Sequence, residues 1–160
     1  MRSLAALIVL VGVAAAAQNL PEKYYGKFAA ENSKNVNFDE YLTAKGYGWF
    51  TRKLVTMANF EKVFKKSDKP NAFSFENLTS KKNVYYTDVT IGQKFKGEGL
   101  DGTQHEVVFE LVGDHLFEKH TPLEEGEAKA ETHEYFFEED WLVVQMKEKD
   151  IVAKRYYKRQ

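Results

Sequence analysis

From about residue 60 to its last residue the chain repeats one pattern: a short run rich in aromatic and β-branched residues, a cluster of turn-forming residues, then the next run. Runs of this kind are predicted strands at residues 62–66, 72–79, 84–91, 93–98, 106–112, 115–120, 131–137, 141–146 and 151–158. Lys69-Pro70-Asn71, Ser80-Lys81-Lys82-Asn83, Asp101-Gly102, Gly113-Asp114, Glu124-Glu125-Gly126 and Glu138-Glu139-Asp140 lie between them. A repeat of roughly ten residues with no helix between the runs implies consecutive antiparallel hairpins. A meander of that length closes into a barrel, because closure removes exposed edges.

The region upstream reads differently. Residues 24–31 form a first predicted strand, which brings the total to about ten. Asn37 is a good N-cap, Glu40 follows three residues later as in a capping box, and Gly46 suits the position after a helix. Phe38, Tyr41, Leu42 and Lys45 share one face of that short helix. A second helix is predicted over residues 49–58, with Phe50, Leu54, Met57 and Ala58 at helical spacing. The expected fold is therefore all-β: a ten-stranded antiparallel up-and-down β-barrel with a helix–turn–helix unit between its first two strands. No internal repeat or low-complexity linker divides it.

At the N-terminus, Arg2 precedes an apolar run from Leu4 to Val13 and alanines from Ala14 to Ala17. One positive charge, an apolar stretch too short to span a bilayer, and a small-residue end read as a secretory signal peptide. Cleavage is expected after Ala17, which makes residues 18–160 the mature domain and the protein secreted. The sequence holds no cysteine, so no disulfide, thiolate zinc site or cysteine nucleophile is available to it. A net charge of −1 argues against general nucleic-acid binding. Its 14% of aromatic residues need a large apolar interior.

The last strand carries the candidate chemistry. Ile151, Ala153, Arg155 and Tyr157 fall on one face and Val152, Lys154, Tyr156 and Lys158 on the other. With the first set inward, a guanidinium and a phenol meet inside the barrel. A buried guanidinium needs an anion, and its planar fork matches a carboxylate. With the opposite parity, Arg155 faces solvent and Tyr156 packs inward. Alternation alone leaves both open.

Four motifs, in order, narrow the choice: Asn37-Phe38-Asp39-Glu40-Tyr41-Leu42, Gly48-Trp49-Phe50-Thr51-Arg52-Lys53, Ile91-Gly92-Gln93-Lys94-Phe95 and Arg155-Tyr156-Tyr157-Lys158. Together they resemble the intracellular lipid-binding protein family of fatty-acid-binding and retinoid-binding proteins, over residues 24–160. The leader makes the chain more similar to the secreted fatty-acid-binding proteins of nematodes. The resemblance implies an extracellular carrier of long-chain fatty acids, not an enzyme, without a cofactor, and expected to act as a monomer. It turns Arg155 inward, to hold the ligand carboxylate with Tyr157. Tyr135 stands where the family has a second internal arginine. Phe38, Tyr41 and Leu42 of the lid, and Val144 and Met146 of a late strand, are the expected tail contacts. A retinoid carrier of the same fold and a storage protein of an extracellular fluid are the rival readings.

Other signals are weaker. His105, His115, His120 and His133 lack metal-ligand spacing, and no metal site is expected. Asn77-Leu78-Thr79 is an N-glycosylation sequon inside a predicted strand. Between residues 45 and 82 nine basic residues face three acidic ones, whereas between 113 and 140 ten acidic residues face two lysines. Lys45, Arg52, Lys53, Lys81 and Lys82 are therefore candidates for transient contact with anionic membranes.

Overall fold

A computed structural model describes residues 17–126 and 128–160, so the expected leader lies, but for Ala17, outside the described residues. Ten strands carry the fold: β1 (Gly26–Ala30), β2 (Phe60–Lys66), β3 (Phe73–Thr79), β4 (Asn83–Val89), β5 (Phe95–Glu98), β6 (Gln104–Val112), β7 (His115–Pro122), β8 (Glu131–Glu138), β9 (Trp141–Glu148) and β10 (Ile151–Arg159). Two helices, α1 (Phe38–Ala44) and α2 (Trp49–Met57), separate β1 from β2. The strand order is β4-β3-β2-β1-β10-β9-β8-β7-β6-β5. First and last strands meet, with Phe28 opposite Arg159 and Ala30 opposite Tyr157.

The barrel does not close by a continuous ladder, because β4 and β5 are the two ends of the sheet. Side chains bridge them instead. The Tyr86 hydroxyl donates to the Glu98 carbonyl at 2.8 Å. Lys82 pairs with Glu98 at 2.6 Å, and the Tyr86 and Phe95 rings meet edge to face at 5.1 Å. Glycine at 97 makes room for this crossing, since a Cβ there would lie 2.7 Å from Tyr86 Cε1.

Strand alternation sorts the side chains. Tyr24, Phe28, Phe64, Phe73, Phe75, Phe109 and Tyr135 point inward and are each at most 1% exposed. Their rings pack mainly edge to face or tilted, as in Phe64–Tyr135 at 5.7 Å and Phe73–Phe109 at 5.4 Å. Burying each contributes about 1.5–3 kcal/mol, and favourable ring pairs add about 0.5–1.5 kcal/mol. A core of this kind lets a chain of this size stand without disulfides.

The lid departs from expectation in two places. Asn37 does not cap α1 through its side chain; it adopts a left-handed conformation, φ 52°, and its Nδ2 donates to the Val152 carbonyl at 3.1 Å. It thus ties the start of α1 to β10 rather than to the helix's own amides. At the other end Gly46, φ +92°, donates to Thr43 O, and Tyr47 donates to Leu42 O. That pair of bonds is a Schellman terminus, which favours glycine at the left-handed position. Phe38, Tyr41 and Leu42 bury against Met146 and Ala153. By contrast α2 buries no residue completely. Phe50 and Met57, spaced as a core face, are 68% and 78% exposed, and only Val55 packs partly against the α1 cluster.

Candidate functional site

The parity of β10 decides the orientation of its arginine. Ala153, Arg155 and Tyr157 are buried, while Val152 and Lys158 face solvent. The Arg155 side chain lies under the lid. Its guanidinium carbon is 4.4 Å from the ring centre of Phe38, 4.2 Å from that of Phe60 and 5.6 Å from that of Tyr157. Nη2 donates to Asn32 Oδ1 at 3.0 Å, and Nε is buried with no partner. No carboxylate of the described residues pairs with Arg155. Aromatic faces solvate a guanidinium in part, yet a buried cation with one neutral acceptor is an incomplete arrangement that an anion would complete.

A second interior cation stands nearby in the fold. Phe60, Lys62 and Phe64 share the inward face of β2, and Lys62 is 3% exposed. Its ammonium sits 5.6 Å from the Phe75 ring centre and 5.9 Å from that of Tyr135. No ion pair involves Lys62 among the described residues. The predicted strand begins at Lys62 and so does not single this residue out; the alternation Phe60-Lys62-Phe64 is the signal that exposes it. Its cross-strand neighbour Asn77 is also buried, with Oδ1 lacking a partner. The sequon asparagine therefore points into the barrel, where the folded protein has no room for a glycan.

The structure brings Arg155, Tyr157 and Phe38 together. It sets Tyr135 on the far side of Val144 from Arg155, because Val144 pairs with both. The Tyr135 hydroxyl donates to Glu118 Oε1 at 2.6 Å. Burial and the Glu118 charge push the Tyr135 pKa well above its ordinary value. Tyr41, Leu42 and Met146 lie in the lid cluster with Phe38, and Val144 lies in the main core.

Glu118 belongs to a buried polar wall on β7 and β8 that the sequence did not announce. His120 Nε2 is 2.5 Å from Glu118 Oε2, and His133 Nδ1 is 3.7 Å from Glu118 Oε1. His133 Nε2 in turn lies 2.5 Å from Glu131 Oε1. Burial opposes the charge on Glu118, but His120 and His133 outweigh it and hold its pKa well below the ordinary carboxylate range. Burial likewise opposes ionisation of Glu131, and His133 with Lys45 overcomes it, so that pKa is lowered too. The same two carboxylates raise the His133 pKa against the desolvation that would lower it.

Most of the candidate membrane-facing cations are otherwise engaged. Lys45 is 3% exposed and pairs with Glu131 at 3.2 Å, which removes it from any docking surface. Arg52 pairs with Asp39 at 3.0 Å, and Lys82 bridges the sheet ends through Glu98. Lys53 stays beside the Trp49 ring at 6.0 Å, and Lys81 sits in the exposed β3–β4 turn. Around them Trp49, Phe50 and Met57 are 63%, 68% and 78% exposed, so the outer lid is apolar with a sparse basic rim.

No family model matches the sequence. Among curated proteins, the fatty acid-binding protein homolog 2 of Caenorhabditis elegans is 60% identical over 144 residues, which cover 90% of this chain and 88% of the relative. The fatty acid-binding protein homolog of Ascaris suum is 40% identical over the full length of both. Among solved structures, As-p18, an extracellular fatty acid binding protein, superposes with a TM-score of 0.84 at 39% identity, covering 89% of this chain and all of that one. A Schistosoma mansoni fatty acid binding protein in complex with arachidonic acid shares the fold, with a TM-score of 0.71 at 20% identity, covering 87% of this chain and 97% of that one.

Proposed function

The chain belongs to the fatty-acid-binding protein family, and we propose that it carries a long-chain fatty acid inside the barrel, outside the cell, with the ligand carboxylate on Arg155 and Tyr157. The observation that carries this reading is the Arg155 guanidinium, buried between Phe38 and Phe60 with Asn32 as its one hydrogen-bond partner among the described residues. A carboxylate accepts two parallel bonds from such a fork, and the Tyr157 ring lies within 5.6 Å to offer its hydroxyl. Lys62 adds a second positive charge to the interior without a carboxylate of its own. The tail then runs along Phe38, Tyr41, Leu42, Val144 and Met146.

About 15 methylenes at about 0.8 kcal/mol each supply a gross driving force of about 12 kcal/mol. Ordering costs remove several of these, leaving affinities nearer micromolar than picomolar. Extracellular location is supported by the leader-like residues 1–17, with residues 18–160 as the mature domain, and by the similarity to As-p18, itself described as extracellular. Ligand transfer proceeds by contact of the outer lid with a bilayer. The apolar side chains Trp49, Phe50 and Met57 insert, and Lys53 and Lys81 add weak attraction to anionic lipid.

Native mass spectrometry of the protein purified from a secretory host, followed by extraction and identification of its lipid, tests the reading. A monomer carrying one fatty acid, on a chain beginning near Gln18, is the expected result. A retinoid in the extract, or a chain that retains Met1, would overturn the corresponding part.

A further inference from the structure

A continuous line of contacts joins the lid to the inner wall of the barrel. Lys45, at the C-terminal end of α1, reaches Glu131 Oε2 at 3.2 Å. Glu131 Oε1 meets His133 Nε2 at 2.5 Å, while His133 Nδ1 makes no hydrogen bond and lies 3.7 Å from Glu118 Oε1, a charge-to-charge approach only. Glu118 is fixed from its other sides by Tyr135 and His120. One imidazole ring therefore stands between two carboxylates, one of which holds the lid.

We propose that His133 is a proton-operated latch of the lid: protonated, it keeps α1 seated through Glu131 and Lys45, and on losing its proton it releases the C-terminal end of α1. An imidazolium has two N–H donors, so Nε2 bonds Glu131 while Nδ1–H carries positive charge toward Glu118; a neutral imidazole keeps one N–H, and with that proton on the Nδ1 side, toward the fixed and ionised Glu118, Nε2 presents a lone pair to Glu131. Of the two carboxylates, Glu131 is the one free to turn away, since its side chain is 30% exposed against 3% for Glu118. When it turns, Lys45, whose side chain is 2% exposed, is left as a buried ammonium without its carboxylate. Such a charge is costly to keep dry, and the end of α1 that carries it must lift to hydrate it. Gly46 and the Schellman terminus beside it form a natural pivot.

The surroundings of His133 are compatible with this assignment. From β8 it is faced by Glu131 and Tyr135, and from β7 by Glu118 and by His120, whose ring centre is 6.5 Å away. From β6, His105 stacks edge-on to His120 at 5.2 Å and bonds Asp101 and Thr103. From the lid come Lys45 and Tyr41, whose ring lies 5.4 Å from the Lys45 ammonium. Lys129, from the β7–β8 connection, donates to the Lys45 carbonyl. His115 also has a carboxylate beside each nitrogen, Glu134 at 2.8 Å and Asp114 at 3.8 Å, but its side chain is 41% exposed, whereas that of His133 is 15% exposed, and the raised pKa of His133 agrees with its more buried position between Glu131 and Glu118.

Lid release is read without ligand, and ligand release, which rests on the proposed function, is read separately. In ligand-free protein, the His133 ring titration is followed by NMR and α1 amide protection factors are measured across it. Protection of α1 should fall about tenfold for each unit by which closure raises the His133 pKa. His133→Gln should make α1 protection independent of pH, Lys45→Met, which has no ammonium to hydrate, should do the same, and His120→Gln should retain the dependence. The dissociation rate of anthroyloxy-stearate should rise over the same pH interval in the unaltered protein. Constant α1 protection across the His133 titration, or an unchanged dependence in folded His133→Gln protein, overturns the latch. PH-dependent protection without any stearate binding keeps the latch and overturns the carrier reading instead.

Discussion

Replacing Arg155 with methionine separates the electrostatic role of this residue from its packing role. Methionine keeps an unbranched apolar stem between Phe38 and Phe60, which approach the guanidinium at 4.4 and 4.2 Å. What disappears is the charge and its donors. Hydrogen bonds to charged groups contribute about 1.5–3 kcal/mol each, so loss of one such interaction weakens binding about 10- to 150-fold. Hexadecanol, which offers no charge, should lose less than about tenfold, the range of a neutral hydrogen bond. Competitive displacement of a fluorescent fatty acid by hexadecanoic acid and by hexadecanol gives both numbers on one preparation. The ligand-free variant carries a second signature: it no longer buries a cation with a single neutral acceptor, so its thermal midpoint should rise. Equal small losses for acid and alcohol, or a destabilised variant with unchanged affinity for the acid, would refute the assignment.

Three further outcomes follow from particular contacts. Asn77 is 6% exposed and inward, so protein made in a secretory host should carry no glycan there, and the intact mass of the Asn77→Gln variant should differ only by the substitution. Gly97→Ala places a methyl group 2.7 Å from Tyr86 Cε1 and forces the gap-bridging ring aside; overpacking of this kind costs about 1–3 kcal/mol in denaturant unfolding. Glu118 and Glu131 are lowered in the folded protein relative to an unfolded carboxyl at about 4.3. Their stabilisation is thus complete above that value and is lost as pH falls through the folded pKa values, so thermal midpoints should decline below about pH 4.3 and Glu118→Gln should flatten that decline.

The strand pattern was legible because period-two alternation and turn residues are local signals. Every predicted strand appears, with ends shifted by a few residues, as for β2, which begins at Phe60. The inward parity of Arg155 was undecided by alternation, since both faces of β10 carry large side chains; the family resemblance pointed the right way. What stayed hidden depended on distant neighbours. Lys45 shares a helix face with Phe38, Tyr41 and Leu42 in the sequence, yet nothing local supplies the anion for a buried ammonium until Glu131, 86 residues later, is placed beside it. Glu118 and His120 alternate onto one face of β7, but His133 is gathered to them only by the β7–β8 register, which sets Glu118 opposite His133. Phe50 and Met57 have the spacing of a buried helical face, but α2 stands off the barrel and meets it mainly through Val55. Helical periodicity reports that a face is apolar, not what covers it.

In the proposed function a fatty acid lies inside this barrel with an ionised carboxylate against Arg155. Carbon-13 NMR of bound hexadecanoic acid labelled at its carboxyl carbon observes that group directly. One bound resonance should remain in the carboxylate position as pH falls well below about 4.3, the ordinary carboxyl value, and should regain ordinary titration in Arg155→Met. A bound resonance that already titrates at the ordinary value in the unaltered protein, identically in the variant, would place the carboxylate in solvent, away from Arg155.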